Sequence, residues 1–197
     1  MARRYVIVEG RYISIRAMNE DDAESVVAWR NHPAVARRLV QWEPLTVEGH
    51  LKFFASALQR GEVFYLCVDA NGHAIGTCSF YGFDRHRTMA EWGRLCFDME
   101  RKTRLMVRET VYLSHRLGFE QLALKRIHCR CAADNVPAVK VYEEAGYQRE
   151  GLRRSHLNTP EGTKDVAEFG LFPGELRRDV LEPMLYEDAG VPVINAG

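Results

Sequence analysis

Three groups of side chains in this chain could do chemistry. The first is a junction. Arg126-Ile127-His128-Cys129-Arg130-Cys131 alternates as a strand does, and Asp134-Asn135 then opens a short amphipathic helix. Pro137 sits in the first turn, where its missing N–H costs no helical bond. Ala145-Gly146 stop the helix, and Gly146 can take a left-handed cap before a new strand at Tyr147. A strand that passes into a helix across a polar asparagine is a place where α/β proteins bind ligands. The second group is a run of cations, Arg101, Lys102, Arg104 and Arg108, at the start of a helix read over residues 102–119. Positive charge there opposes the helix dipole, so the run points to an anionic partner. The third group is isolated: His86, His128 and His156 could move protons, and five cysteines could ligate or react. Cys129-x-Cys131 puts two thiols on one strand face, a spacing that suits neither a redox pair nor a metal knuckle. All five cysteines fall in apolar strand-like runs and read as reduced core thiols, so no metal is expected.

These groups must be positioned by a scaffold of modest size. The chain has 197 residues, 46% hydrophobic and 27% charged, which suits a globular protein of one domain with extensions. Formal net charge is zero, whereas a non-specific nucleic-acid binder carries a basic excess, so no nucleic acid is expected. No apolar run approaches the roughly 20 residues of a membrane span. The run after Met1 is broken at Glu9, which makes a poor signal peptide. A cytoplasmic protein is the expectation, with no membrane partner.

In order, residues 1–10 read as an arm or short extra strand, and 11–16 as a first strand. Asn19-Glu20-Asp21-Asp22 supplies cap chemistry for a helix that stops at His32, before Pro33. A short helix over 34–39 and a Thr46-capped helix to about Arg60 follow. Residues 63–68, 74–83 and 89–97 read as three antiparallel strands, the first turn marked by Asn71-Gly72. Then come the helix over 102–119, the strand 125–131, the junction helix, and strands over 147–156 and 166–172. The fold class expected is α/β, one mixed sheet of six to seven strands with helices on both faces. Residues 11–172 form the domain, and 173–197 an irregular C-terminal extension.

The segment Asn135-x-x-Ala138-x-x-x-Tyr142-Glu143-x-x-Gly146-Tyr147 resembles the N-x-x-A-x-x-x-Y-E-K-x-G-F segment of the GNAT superfamily of acyl-CoA-dependent N-acetyltransferases. Ala90-Glu91-Trp92-Gly93 is similar to the A-E-I-G start of that family's fourth strand, and Gly118 to Ile127 to its helix end and fifth strand. Glu150-Gly151 and Gly162-x-x-Asp165 resemble the ribosomal-protein acetyltransferase-like branch. Trp29-Arg30-Asn31-His32-Pro33 resembles the W-R-N-x-P of members that acetylate amino-sugar nucleotides. The resemblance covers roughly residues 11–172 and implies a single GNAT-like domain with a mostly antiparallel sheet.

The resemblance also implies a reaction, acetyl transfer from acetyl-CoA to a primary amine by direct attack. Such transfer needs a base for the amine proton, donors for the developing oxyanion, an acid for the leaving thiolate and a fixed donor. By resemblance, Leu95, Cys96 and Phe97 offer backbone groups to the pantetheine arm, Asn135 binds it, and Tyr142 protonates the thiolate. Glu91 is the candidate base, with the three histidines as substitutes. Trp29, Arg30 and Asn31 are the candidate acceptor contacts. The acceptor itself stays open between an amino-sugar nucleotide, a polyamine-like amine and a protein N-terminus, and a homodimer stays open too.

One segment departs from the family pattern. The glycine-rich loop that cradles the CoA pyrophosphate falls here on Arg101 to Val107, and no glycine lies between Gly93 and Gly118. Lys102, Thr103, Arg104 and Leu105 are the expected pyrophosphate contacts, with cationic side chains standing in for bare amides. The alternative is a GNAT-fold binding protein with a degenerate CoA site, or an acyltransferase served by another carrier.

Overall fold

The computed structural model describes residues 8–36, 43–159, 162–179 and 181–182. Strands β1 (Val8–Glu9) and β2 (Ile13–Ala17) lead into helices α1 (Ala23–Asn31), α2 (Pro33–Ala36) and α3 (Val47–Gln59). The meander follows as β3 (Val63–Asp69), β4 (Ala74–Tyr81) and β5 (Met89–Phe97). Helix α4 (Arg104–Arg116), β6 (Arg126–Ala132), α5 (Val136–Ala145), β7 (Gln148–Thr159) and β8 (Gly162–Leu171) complete the domain. Eight strands form one sheet in the order β1-β2-β3-β4-β5-β6-β8-β7. The count exceeds the six to seven expected because the two-residue β1 pairs onto β2 through Val8 and Glu9, at the edge of the sheet. The expected short helix over 34–39 is α2, which starts at Pro33; residues 37–42 lie outside the described part.

The sheet separates two cores, and β3 shows why. Its residues alternate in period two. Tyr65 and Cys67 join Ile13, Ile15, Trp92, Val111, Tyr112 and Tyr142 on the α4–α5 face. Phe64 and Leu66 join Val26, Trp29, Phe54 and Ala57 on the α1–α3 face. Leu176 and Leu181, in the segment read as irregular, also bury in the first core.

The helix ends follow their local chemistry. Thr46 Oγ1 accepts the Gly49 amide at 3.1 Å to start α3. The α5 helix begins on Asn135, whose Oδ1 accepts the Ala138 amide at 3.4 Å, and ends on Gly146 at φ 104. A Cβ at Gly146 would run into the Glu175 carbonyl, so this position needs glycine for both its dihedral and its space.

Two irregularities in β5 open the molecule. Ser79 faces Gly93 while Thr77 faces Cys96, so one residue of β4, Cys78, opposes two of β5, Arg94 and Leu95. The extra residue makes a bulge, with Arg94 at φ 52. On its other side β5 pairs β6 in parallel over Met89, Ala90 and Glu91 alone. Every other strand pair is antiparallel. Past Glu91 and His128 the two strands part, which leaves the β6-facing edge of β5 from Trp92 onward without a ladder partner.

Candidate active site

A cleft of about 850 Å³ occupies the opening between β5 and β6. It is lined from the α5 side by Asn135, Ala138 and Tyr142, along β5 by Glu91 and Gly93 to Phe97, and from the α1–α3 side by Arg30 and His50. Lys102 lines it near the start of α4. The expected catalytic pair, Glu91 and Tyr142, therefore faces one cavity.

Glu91 is fixed from two strands. Tyr81 Oη, its register partner on β4, donates to Oε1 at 2.8 Å, and Arg130 Nε on β6 donates to the same oxygen at 3.0 Å. Oε2 has no hydrogen bond from the described residues. Burial pushes the Tyr81 pKa upward, and the charge on Glu91 adds to it, so the phenol stays protonated as a donor. Tyr142 packs its ring against Trp92, Tyr147 and Phe169, at centroid distances of 6.2, 5.5 and 5.4 Å. Burial is the main cause that raises its pKa, with the Cys129 thiol alongside. A neutral phenol in this setting is a proton donor.

Asn135 spends Oδ1 on the helix cap, which leaves the Nδ2 hydrogens for another acceptor. Leu95, Cys96 and Phe97 line the cleft after the bulge. Burial pushes the Cys96 thiol up to about 11, so it is neutral at ordinary pH.

The cation run is largely engaged elsewhere. Arg108 makes two bonds to Glu144 on α5, at 2.8 and 2.7 Å, and Arg104 reaches the same carboxylate at 3.1 Å. Arg101 lies 3.7 Å from Asp98. Lys102 is the member of the run that lines the cleft. Thr103 caps α4, its Oγ1 accepting the Met106 amide at 3.2 Å, and Leu105 packs against the core. The amides of Arg104 and Leu105, first in the helix, have no intrahelical acceptor by geometry.

Of the expected acceptor contacts, Arg30 reaches the cleft. Trp29 is buried in the α1–α3 core. Asn31 clasps Leu45, donating to its carbonyl at 2.9 Å and accepting its amide at 2.8 Å. Among the three histidines, His156 lines the cleft, His86 is exposed in the β4–β5 turn, and His128 faces Glu91 in register on β6. Sequence reasoning did not single out Tyr81, Arg130 or His50. The Tyr81–Glu91 pairing needed the hairpin register. Lone His50 on an amphipathic helix carries no distinguishing signal. Among the described residues no group of His, Cys, Asp and Glu could hold a metal ion, and no helix is long and apolar enough to cross a membrane.

Residues 13–148 match the family model described as an acetyltransferase (GNAT) domain. An uncharacterized N-acetyltransferase, p20, of Bacillus licheniformis is 26% identical, over 83% of this chain and 94% of the relative. Among solved structures, the spermidine N-acetyltransferase of Vibrio cholerae, in complex with CoA and spermine, superposes with a TM-score of 0.76. It is 19% identical over 83% of this chain and 97% of that one. A GCN5-related N-acetyltransferase from Brucella melitensis superposes at 0.71, with 21% identity over 89% of this chain and 82% of that one. These likenesses in structure agree with the fold. The chain belongs to the GNAT acetyltransferase family and is a GNAT-type N-acetyltransferase.

Proposed function

We propose that this enzyme moves an acetyl group from acetyl-CoA to a primary amine by direct attack. The observation that supports it is the cleft at the β5–β6 opening, which has both Glu91 and Tyr142 in its wall.

The residues present suit the co-substrate. The unpaired edge of β5 beyond Trp92 offers backbone groups to an extended amide-bearing arm, as an added strand would use them. Asn135 Nδ2 offers donors beside it. Lys102 and the first amides of α4 suit a pyrophosphate, so side-chain charge comes from Lys102 rather than from the whole basic run. Acetyl-CoA supplies an activated thioester there.

The chain's own groups then handle two protons. Glu91 takes one from the substrate ammonium, which frees the nitrogen lone pair for attack, with Tyr81 and Arg130 holding the carboxylate in place. The amine nitrogen forms a bond to the acyl carbon as the carbon–sulfur bond breaks. The Tyr142 hydroxyl gives its proton to the departing sulfur, and the second proton lost by the acylated nitrogen restores the phenol, so that one proton is released overall.

Thermal shift with CoA and with acetyl-CoA at millimolar concentration, beside thiol release against a panel of amines, tests this reading. A raised melting temperature and amine-dependent thiol release are expected. No shift with either compound overturns it in favour of a binding protein with a degenerate CoA site or a different acyl carrier.

A further inference from the structure

Arg30 stands in the last turn of α1 and lines the cleft. Its Nε is buried with no hydrogen-bond partner, and no carboxylate pairs with it among the described residues. His50, from α3, is 5% exposed, and its Nε2 is likewise buried without a partner. It lines the same cleft. Burial lowers the His50 pKa, and the Arg30 charge adds to the effect, so His50 is neutral. Burial also lowers the Arg30 pKa, yet a guanidinium keeps its charge.

The neighbouring charges do not compensate Arg30. Arg94, which adds to the positive field, has taken Glu62 at 2.6 Å. Glu62 is shared with Arg60 at 2.9 Å. The Cys96 thiol beside Arg30 is neutral. A guanidinium largely withdrawn from water without a counter-charge is costly, and so is a buried polar atom without a partner. Two residues from two helices, each with such an atom and both lining the cleft, are the pattern of a site whose missing partner is a ligand.

We infer that the acceptor amine carries a carboxylate, and that the Arg30 guanidinium, with His50 beside it, binds it at the α1–α3 end of the cleft. The inference rests on this cleft being the acyl-transfer site. Arg30 supplies charge and direction, and His50, as the Nε2–H tautomer, supplies a second donor. The same uncompensated cation repels a polyamine, which brings positive charge in place of negative. Recognition of this kind separates an amino acid from its own amide, because the amide leaves the buried cation without a counter-charge.

The test uses the full chain with CoA bound, and calorimetry or thermal shift with L-amino acids, the same compounds as carboxamides, and spermidine. Acetyl transfer to each is followed in parallel by thiol release. Carboxylates are expected to bind at least tenfold more tightly than their amides, and spermidine more weakly than either. Arg30→Gln should erase the carboxylate preference, mainly through KM, and leave the CoA-induced shift in place. Its unliganded melting temperature should stay at or above that of the parent, since an uncompensated charge has been removed. His50→Phe should weaken carboxylate binding less than Arg30→Gln does. Preference for amides or spermidine, no anion-selective binding across the panel, or a preference that survives Arg30→Gln overturns the inference. Failure of the acyl-transfer reading shows separately, as absence of the CoA shift or of thiol release with every amine.

Discussion

Tyr81 Oη donates to Glu91 Oε1 at 2.8 Å across the β4–β5 pair, beside the last register position before β5 and β6 part. The bond turns one carboxylate oxygen toward β4 and leaves the other for the cleft. Glu91→Gln keeps the shape and the acceptor oxygen but cannot take a proton. Its kcat/KM should fall about 100-fold or more. The CoA thermal shift should persist. Tyr81→Phe should cost less, roughly tenfold, because it loosens the base without removing it. An unchanged rate in Glu91→Gln would pass the base role to His156, which shares the cleft.

Tyr142→Phe tests the other end of the transfer. The phenylalanine ring retains the contacts with Trp92, Tyr147 and Phe169, so folding should be little affected. Only the hydroxyl is lost. Thiol release should slow by about 10-fold to 100-fold in kcat, with CoA affinity retained. A variant as fast as the parent removes Tyr142 from the role of acid and leaves it as a packed ring.

How far these groups could be read in advance depended on how local their determinants are. The bounds of β5, Met89 to Phe97, and the caps of α3 and α5 follow from neighbours in sequence: an alternating run, Thr46, Asn135 and Gly146. The strands over 147–156 and 166–172 fall short of β7 and β8 because β7 is an exposed edge strand whose polar residues, Arg153 to His156, carry no alternation. The Asn71-Gly72 turn is legible from its residue types, which tolerate the positive φ that a tight turn needs. Gly72 takes it at φ 83, while Asp69 Oδ1 accepts the amides of Asn71 and His73, which supports a longer loop. The basic run illustrates the limit for the site. Its charges were legible, but Glu144 lies about forty residues away in sequence, and nothing local shows that it claims Arg104 and Arg108. Arg30 was legible by resemblance. That its Nε is an orphan was not, since this depends on what packs around it.

His115 makes stability depend on pH. It is fully buried, with Nδ1 donating to the Val111 carbonyl at 2.6 Å and Nε2 accepting from Tyr147 Oη at 2.6 Å. These partners suit the neutral ring. Burial lowers its pKa from 6.5 to about 4. Between those values the unfolded chain binds the proton and the folded chain does not. Stability is therefore complete above pH 6.5 and falls as pH drops toward 4, by roughly 3 kcal/mol over the window. His50 and His128, also lowered by burial, act in the same direction. Urea melts at steps from pH 7.5 to 4.5 should show this slope. His115→Gln should be less stable at pH 7.5 but flatter with pH, and an equal slope in the variant would exclude His115 as its source.

The Arg108–Glu144 pair ties α4, whose N-terminus borders the cleft, to the junction helix α5. Arg108 is 6% exposed and its two bonds to Glu144 are 2.8 and 2.7 Å. Glu144→Ala leaves that guanidinium buried and uncompensated, which should cost about 3 kcal/mol. The melting temperature should drop by roughly 6–12 °C, given the scaling for a chain of this size. Arg108→Ala should cost less, because Glu144 keeps Arg104 at 3.1 Å and stands closer to water. Replacing both partners, as Arg108→Met with Glu144→Leu, should recover most of the loss. The pair also predicts a pH signature opposite in origin to that of His115. The Arg108 guanidinium holds the Glu144 carboxyl below its ordinary value of 4.5, with Arg104 adding to it. Its contribution is thus present above pH 4.5 and is lost as pH falls through the depressed value. The stability gap between the parent and Glu144→Ala should be constant from pH 8 to 6 and close below pH 4.5. A gap that stays open in acid would mean that Glu144 acts through packing rather than through its charge.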